Sequence, residues 1–299
     1  MAKIRTVLGE IDATALGQTL PHEHLLVGFD PKGVKPDQYD DDVVVAKMLP
    51  HLKALYDAGC RAFVECTPIH LGRDMKLWQR FSRESGLHII APTGAYKEPN
   101  LPPYAYVESP EQMAARWIAE ATDGVDSVMP GFIKIAMSGE PISRLEGNIL
   151  EAALMTSNAT GLVIACHCAG AEGMLDAMAR MQETGFDTER FIWVHTDTTF
   201  WTGAVGEAVV DLAIQRGLWI ELDCIGTRPY DEHIALINKL WSLGMRMLIS
   251  QDAGFYNVDA PDDAVRPFVS MITDLLPQLP PDMVNELMYT NPAEAFRIR

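Results

Sequence analysis

A single barrel of eight parallel strands wrapped by helices, the (β/α)8 or TIM-barrel class of α/β fold, is what this sequence predicts, and three observations point to it. Short apolar runs recur along the chain, helical stretches separate them, and several runs end in His, Lys or Asp. Strands that are apolar on both faces and alternate with helices indicate a parallel sheet covered by helices. Eight of them suggest closure into a barrel, whose usual length of about 250 residues suits one domain over residues 1–299. No linker, low-complexity run or charge block divides the chain. A doubly wound open sheet is the alternative, weakened because no Gly-x-Gly-x-x-Gly turn follows the first strand.

Taken in order, a first strand runs into His22 and a polar loop follows, then a helical pattern over 41–58 that stops at Gly59. The apolar run 61–65 is the second strand; a helix over 71–85 closes at Gly86 and leads to a third strand at 88–91. The alternation repeats as helix 110–122 and strand 131–135, helix 143–158 and strand 162–165, helix 171–183 and strand 191–194. It ends with helix 203–215 and strand 218–222, helix 231–243 and strand 245–249, and further helices toward the C-terminus.

Composition narrows the function. With 41 acidic against 24 basic residues the formal charge is −17, which argues against a nucleic-acid partner and leaves a small-molecule substrate. No run of about 18 apolar residues marks a membrane span, and the N-terminus lacks a signal-peptide pattern, so a cytoplasmic location is expected. The 5 cysteines (Cys60, Cys66, Cys166, Cys168, Cys224) are odd in number and without framework spacing, which predicts reduced thiols. Cys166-His167-Cys168 could form a zinc knot, but in a strand both thiols face away from His167 and no second cysteine pair follows.

The chemistry is concentrated at the carboxyl ends of the strands, where barrels of this class build their sites. In Leu20-Pro-His-Glu-His-Leu25 an extended backbone puts His22 and His24 on one face and Glu23 on the other. Lys134 lies within the fourth strand, His167 follows the fifth, His195 the sixth and Asp252 the eighth. Each alone has a plain reading as a hydrogen-bonded core residue or a loop cap. Four imidazoles and a carboxylate converging on one mouth point to a cation, which supplies a partner for every lone pair. Lys134, inside an apolar run, either snorkels or pairs with a carboxylate such as Glu140. Alternatively, burial favours its neutral amine, which takes up carbon dioxide to give an anion with two oxygens.

The segments 17–24, 67–74, 93–96, 132–135, His167, 195–197, 250–252 and 291–296 together resemble the phosphotriesterase family of the amidohydrolase superfamily, which includes the phosphotriesterase-like lactonases. The resemblance covers nearly the whole chain. It implies that His22, His24 and Asp252 hold the more buried of two divalent ions and His167 and His195 the more exposed one. Nζ-carboxylated Lys134 and a hydroxide would bridge them. Zinc is the expected metal, with manganese, cobalt or iron as alternatives. It further implies Asp252 as the proton acceptor, Tyr96 near the metals as a catalytic or substrate contact, and a homodimer.

The chain also departs from the family pattern. Cys224 stands where members often carry Arg or His, and Thr198 where triester-cleaving members have a second acidic residue. Asp197 remains, with an expected role in orienting a metal-bound histidine. Arg228, Tyr230, Phe255 and Tyr256 follow the last two strands and are candidates for shaping the substrate site. These departures count against an optimised organophosphate hydrolase and favour a hydrolase that opens lactones or related carboxylic esters, with weak triesterase activity. A phosphotriesterase proper, an N-acyl amide hydrolase and a metal-binding protein without turnover are the alternatives.

Overall fold

The computed structural model describes residues 2–299. Two strands not expected from the sequence open the chain, β1 (Lys3–Thr6) and β2 (Gly9–Asp12), paired as an antiparallel hairpin. The alternation then runs β3 (Thr19–Val27), α1 (Asp41–Asp57), β4 (Ala62–Glu65), α2 (Met75–Ser85), β5 (His88–Ile90), β6 (Pro92–Ala95), α3 (Pro110–Asp123), β7 (Phe132–Met137) and α4 (Arg144–Thr160). It continues through β8 (Ile164–Cys168), α5 (Ala171–Thr184), β9 (Phe191–Val194), α6 (Thr196–Phe200), α7 (Ala204–Gln215), β10 (Trp219–Leu222), α8 (Tyr230–Trp241), β11 (Met247–Ile249) and β12 (Gly254–Asn257). Short helical turns, among them α9 (Pro281–Asn285) and α10 (Asn291–Ala295), finish it. No helix of the described residues is long and apolar enough to cross a membrane.

Local chemistry sets the boundaries. The Asp74 carboxylate accepts the Leu77 N–H at 2.9 Å, so α2 starts at Met75 rather than at residue 71. Ser109 with Gln112 and Ser143 with Glu146 form reciprocal caps that open α3 and α4. The expected strand at 88–91 reaches residue 95 but is divided at Ala91, because Pro92 has no N–H to continue the ladder. Its first half pairs with β4 and its second with β7.

Every pairing among β3 to β12 is parallel, in two sheets ordered β11-β10-β9-β8-β7-β6 and β12-β3-β4-β5. Spatial order follows chain order without the reversal that a doubly wound sheet requires, so that alternative is set aside. The sheets are joined through Ala91 on one side. On the other, β11 lies against β3, where the His22 N–H donates to Ser250 Oγ at 3.1 Å.

Side-chain alternation divides the apolar residues into two clusters. Phe63, Ile133, Ile135, Cys166, Trp193, Ile220 and Ile249 face outward onto the helices. Val64, Phe132, Ala165, Ile192, Trp219 and Leu248 face inward, with Ile4 of the N-terminal hairpin and Phe296 packed among them. Two steps along the same inward face from Phe132 and Ala165 come Lys134 and His167. The positioning of the site is therefore a continuation of the inner core.

Glu23 faces away from its neighbouring histidines, as an extended backbone requires, and is fully buried. Its carboxylate accepts Ser250 Oγ–H at 2.9 Å and the N–H groups of Gln251 at 3.1 Å and Ala253 at 2.6 Å, which fastens the turn carrying Asp252 to β3. Replacing Glu23 by Ala strands these buried donors, each at a cost of about 1–3 kcal/mol, and is expected to lower the unfolding free energy by about 3–6 kcal/mol in a urea titration.

Candidate metal centre

His22 and His24 lie within β3, not after it, because β12 pairs alongside and lengthens the ladder to Val27. Their Nε2 atoms lie 3.5 and 3.1 Å from the same Asp252 oxygen. From β7, Lys134 brings Nζ to 3.3 Å from His22 Nε2; it is buried, and makes no ion pair with Glu140, which is exposed. His167 Nδ1 and His195 Nε2 face one another at 2.7 Å. The six expected ligand residues therefore line one cavity of about 130 Å3.

The donor chemistry fits a cation. The outer nitrogen of three imidazoles is backed by an oxygen, which fixes the hydrogen on Nδ1 and turns the Nε2 lone pair inward. His22 Nδ1 has Glu221 and Asp223 oxygens at 3.2 Å, and His195 Nδ1 has Asp223 at 2.6 Å. His24 Nδ1 donates to Thr67 Oγ1 at 2.8 Å, which in turn donates to Glu65 at 2.6 Å. Lone pairs that face an anionic oxygen, or one another, across such distances need a proton or a metal between them. Among the described residues, His22, His24 and Asp252 offer ligand atoms within 4.8 Å of one another.

The model of the phosphotriesterase family matches residues 2–287. The chain belongs to that family. A phosphotriesterase homology protein of Escherichia coli is 28% identical over 248 residues, 79% of this chain and 81% of the relative. The N-acetyltaurine hydrolase of Rattus norvegicus is 26% identical over 75% of this chain and 72% of its own length. Among solved structures, the organophosphorus hydrolase from Deinococcus radiodurans superposes with a TM-score of 0.84 at 24% identity, covering 98% of this chain and 96% of that one.

Electrostatics in this phosphotriesterase-family site separate the candidate ligands by charge. Burial, with His195 and Lys97 nearby, holds His167 well below the usual histidine range, and burial lowers His24, so both are neutral imidazoles with a lone pair free to offer. Burial opposes ionisation of Asp252, but His22 and His24 hold its carboxyl well below the usual range. His22 is the exception: burial works to lower it, yet the Cys66 sulfur, Asp252 and Asp223 raise it well above an ordinary histidine.

Backbone geometry aims two of the candidate ligands. His195 and Asp252 adopt left-handed φ values of 64° and 47°, uncommon for residues with a side chain. Asp223 holds the first of these turns by accepting the His195 N–H at 3.1 Å. Gly94 in β6 has φ 105°, and a Cβ there would sit 2.1 Å from the Lys134 carbonyl oxygen; the strand carrying Lys134 needs glycine beside it.

Sequence reasoning missed Asp223 and Glu221. Their i, i+2 spacing continues the inward face of Trp219, a signal of the same kind as the histidine pair. Asp197, expected to orient a ligand histidine, instead accepts the N–H groups of Cys224 at 2.9 Å and Thr198 at 3.0 Å. Its carboxyl is pushed up to about 8 by burial and by Asp223. The imidazoles are held by Asp223, so Asp223→Asn is expected to weaken metal affinity by about 10–100-fold, read by titrating metal-free protein against a competing chelator.

The remaining candidates separate by position. Tyr96 lines the cavity with its hydroxyl 3.4 Å from His167 Nδ1, and Phe255 packs edge-on to His24. Cys224 lies behind Asp223, with its thiol pushed up by burial and by Asp223. Tyr256 is buried beneath Lys47, while Arg228 stacks on Trp201 and pairs with Glu232 at 2.6 Å; neither lines the cavity, nor does Tyr230. Cys166 and Cys168 are buried on the outward face, away from His167.

Proposed function

We propose that the protein is a metal-dependent hydrolase that opens lactones or related carboxylic esters, on a barrel closed by the contact of β11 with β3. The observation that carries the reading is the backing of the His22, His24 and His195 rings by Glu221, Asp223 and Thr67, which leaves ligand lone pairs turned into one cavity. His22, His24, Lys134 as its Nζ-carboxylated form, His167, His195 and Asp252 would hold two divalent ions, zinc foremost, which supply an activated water and a Lewis acid for the substrate oxygen.

The protein's own groups account for the rest of the reaction. Ionised Asp252, at the turn fastened by Glu23, takes the proton of the attacking water and returns it to the leaving alkoxide. Burial keeps the Tyr96 phenol protonated, so it donates toward the substrate beside His167. Val27, Phe29, Pro68, Leu71 and Phe255 supply the apolar part of the cavity lining, suited to a hydrocarbon ring or chain.

Relatives named for N-acetyltaurine hydrolysis favour one second reading, cleavage of an N-acyl amide at the same centre. Proton release by metal-reconstituted protein across lactones, phosphotriesters and N-acyl amino acids, with Asp252→Asn as blank, decides between them. Lactones leading by orders of magnitude in kcat/KM supports the first reading. Triesters or amides leading, or wild type matching the blank, overturns it.

A further inference from the structure

The barrel has a second cavity at the end opposite the candidate ligands. It measures about 640 Å3, against about 130 Å3 at the candidate metal centre. Two of its lining residues mark the N-terminal ends of strands, Trp219 as the first residue of β10 and Arg246 just before β11. Ala13, from the turn after β2, and Ala293 and Arg297, from the C-terminal segment, also line it. Both alanines pack against the inner cluster that holds Trp219.

The guanidinium groups on this wall are only partly matched. Arg246 Nη2 donates to Glu189, whose other oxygen accepts Arg299 Nη1 at 2.9 Å, and Arg297 Nη2 lies 2.6 Å from Glu294. Glu294 is the one carboxylate lining the cavity, against the two guanidinium groups. Five buried side-chain nitrogen or oxygen atoms of the described residues have no hydrogen-bond partner, and two of the five are Arg246 Nη1 and Arg297 Nε. A buried N–H without an acceptor costs free energy, and a bound ion is one way to meet it. The N-terminal face of a barrel ordinarily serves stability. A network kept for stability alone would pair these donors; the oxygens of an anion in the cavity would do so too.

We propose that this cavity is a second ligand site, and that it takes an organic carboxylate carrying a flat hydrocarbon ring. Planar guanidinium groups match a carboxylate through paired N–H groups. The Arg246 guanidinium carbon is 5.8 Å from the centre of the Trp219 ring, so a carboxylate held by Arg246 brings the ring attached to it against the indole and the methyls of Ala13 and Ala293. The volume is that of a site for a drug-sized molecule, largely apolar with a few polar groups. A ligand there touches no reacting atom, and the inference does not depend on the hydrolase reading.

The test titrates naphthalene-2-carboxylate, its neutral carboxamide and acetate calorimetrically into the full chain, both metal-loaded and metal-free. Wild type is expected to bind the naphthoate about 10–100-fold more tightly than the carboxamide, equally with and without metal, and acetate more weakly than either. In Arg246→Met and Arg297→Met the preference for the carboxylate falls toward one. Ala13→Phe, which fills the cavity and leaves every ion pair in place, loses both naphthyl probes. Phe255→Ala, at the other end of the barrel, binds them as wild type does.

Equal binding of naphthoate and carboxamide by wild type, or none, overturns the proposal. So does binding that needs the metal ions or is lost in Phe255→Ala, which places the probe at the metal centre, and so does an unchanged affinity in Ala13→Phe. Acetate binding as tightly as the naphthoate removes the ring from the ligand. Arg246→Met also releases Glu189, so urea unfolding is followed beside it; if that variant does not fold, the carboxamide comparison and Ala13→Phe decide.

Discussion

Asp252→Asn lowers kcat by roughly 10²–10⁴ while the protein keeps most of its metal, the size expected when a positioned general base is lost. Two contacts separate the base from its scaffold. The carboxylate meets His22 and His24 Nε2, whereas the turn beneath it is held by Glu23 through the N–H groups of Gln251 and Ala253, which the substitution leaves in place. An amide oxygen still serves as a ligand atom but cannot take a proton at neutral pH. Metal analysis beside steady-state kinetics checks this, and near-normal turnover in a metal-replete variant removes Asp252 from the role of base. The loss is expected to be steeper for N-acyl amides than for lactones, because a departing amine needs the returned proton more than an alkoxide does.

The fold was legible where periodicity and capping agreed. Apolar strands and Gly-terminated helices follow from local chemistry, and parallel order follows from their alternation. The hairpin at β1 and β2 and the short β12 were missed because each takes its place from partners distant in sequence: Ile4 packs into the inner cluster and Gly254 pairs with His24. At the site, the residues expected to face one cavity do so, since each sits on the inward phase of a strand or on the turn after it. The supporting shell was harder to read. Asp197 is next but one to His195 in sequence, yet Asp223, from the following strand, holds the imidazole; the left-handed turn at His195 decides this, and no local residue type announces it. Of the substrate candidates after the last two strands, Phe255 lines the cavity, whereas Arg228 finds Trp201 and Glu232 before it can reach it.

Lys134→Ala is expected to have the other large effect, loss of paired metal binding together with a fall in kcat of about 10³-fold or more, the several kcal/mol that a metal centre contributes. The residue is buried, 3.3 Å from His22 Nε2, and forms no direct ion pair among the described residues. A side chain kept there only for packing would be replaced at lower cost by an apolar one, which is why the proposed function takes Lys134 in its carboxylated form. That form has two oxygens where the amine has one nitrogen, and it removes a positive charge from a site meant for cations. Because Ala also leaves a void above Phe132, Lys134→Met serves as the volume-matched partner. Both variants should bind fewer ions per chain than wild type, and in Lys134→Ala, which leaves room for them, short carboxylic acids should restore part of the activity without bicarbonate, whereas reconstitution of wild type should require it. Full metal occupancy in Lys134→Met would make Lys134 a packing residue, and the remaining histidines and Asp252 would then have to carry the centre alone.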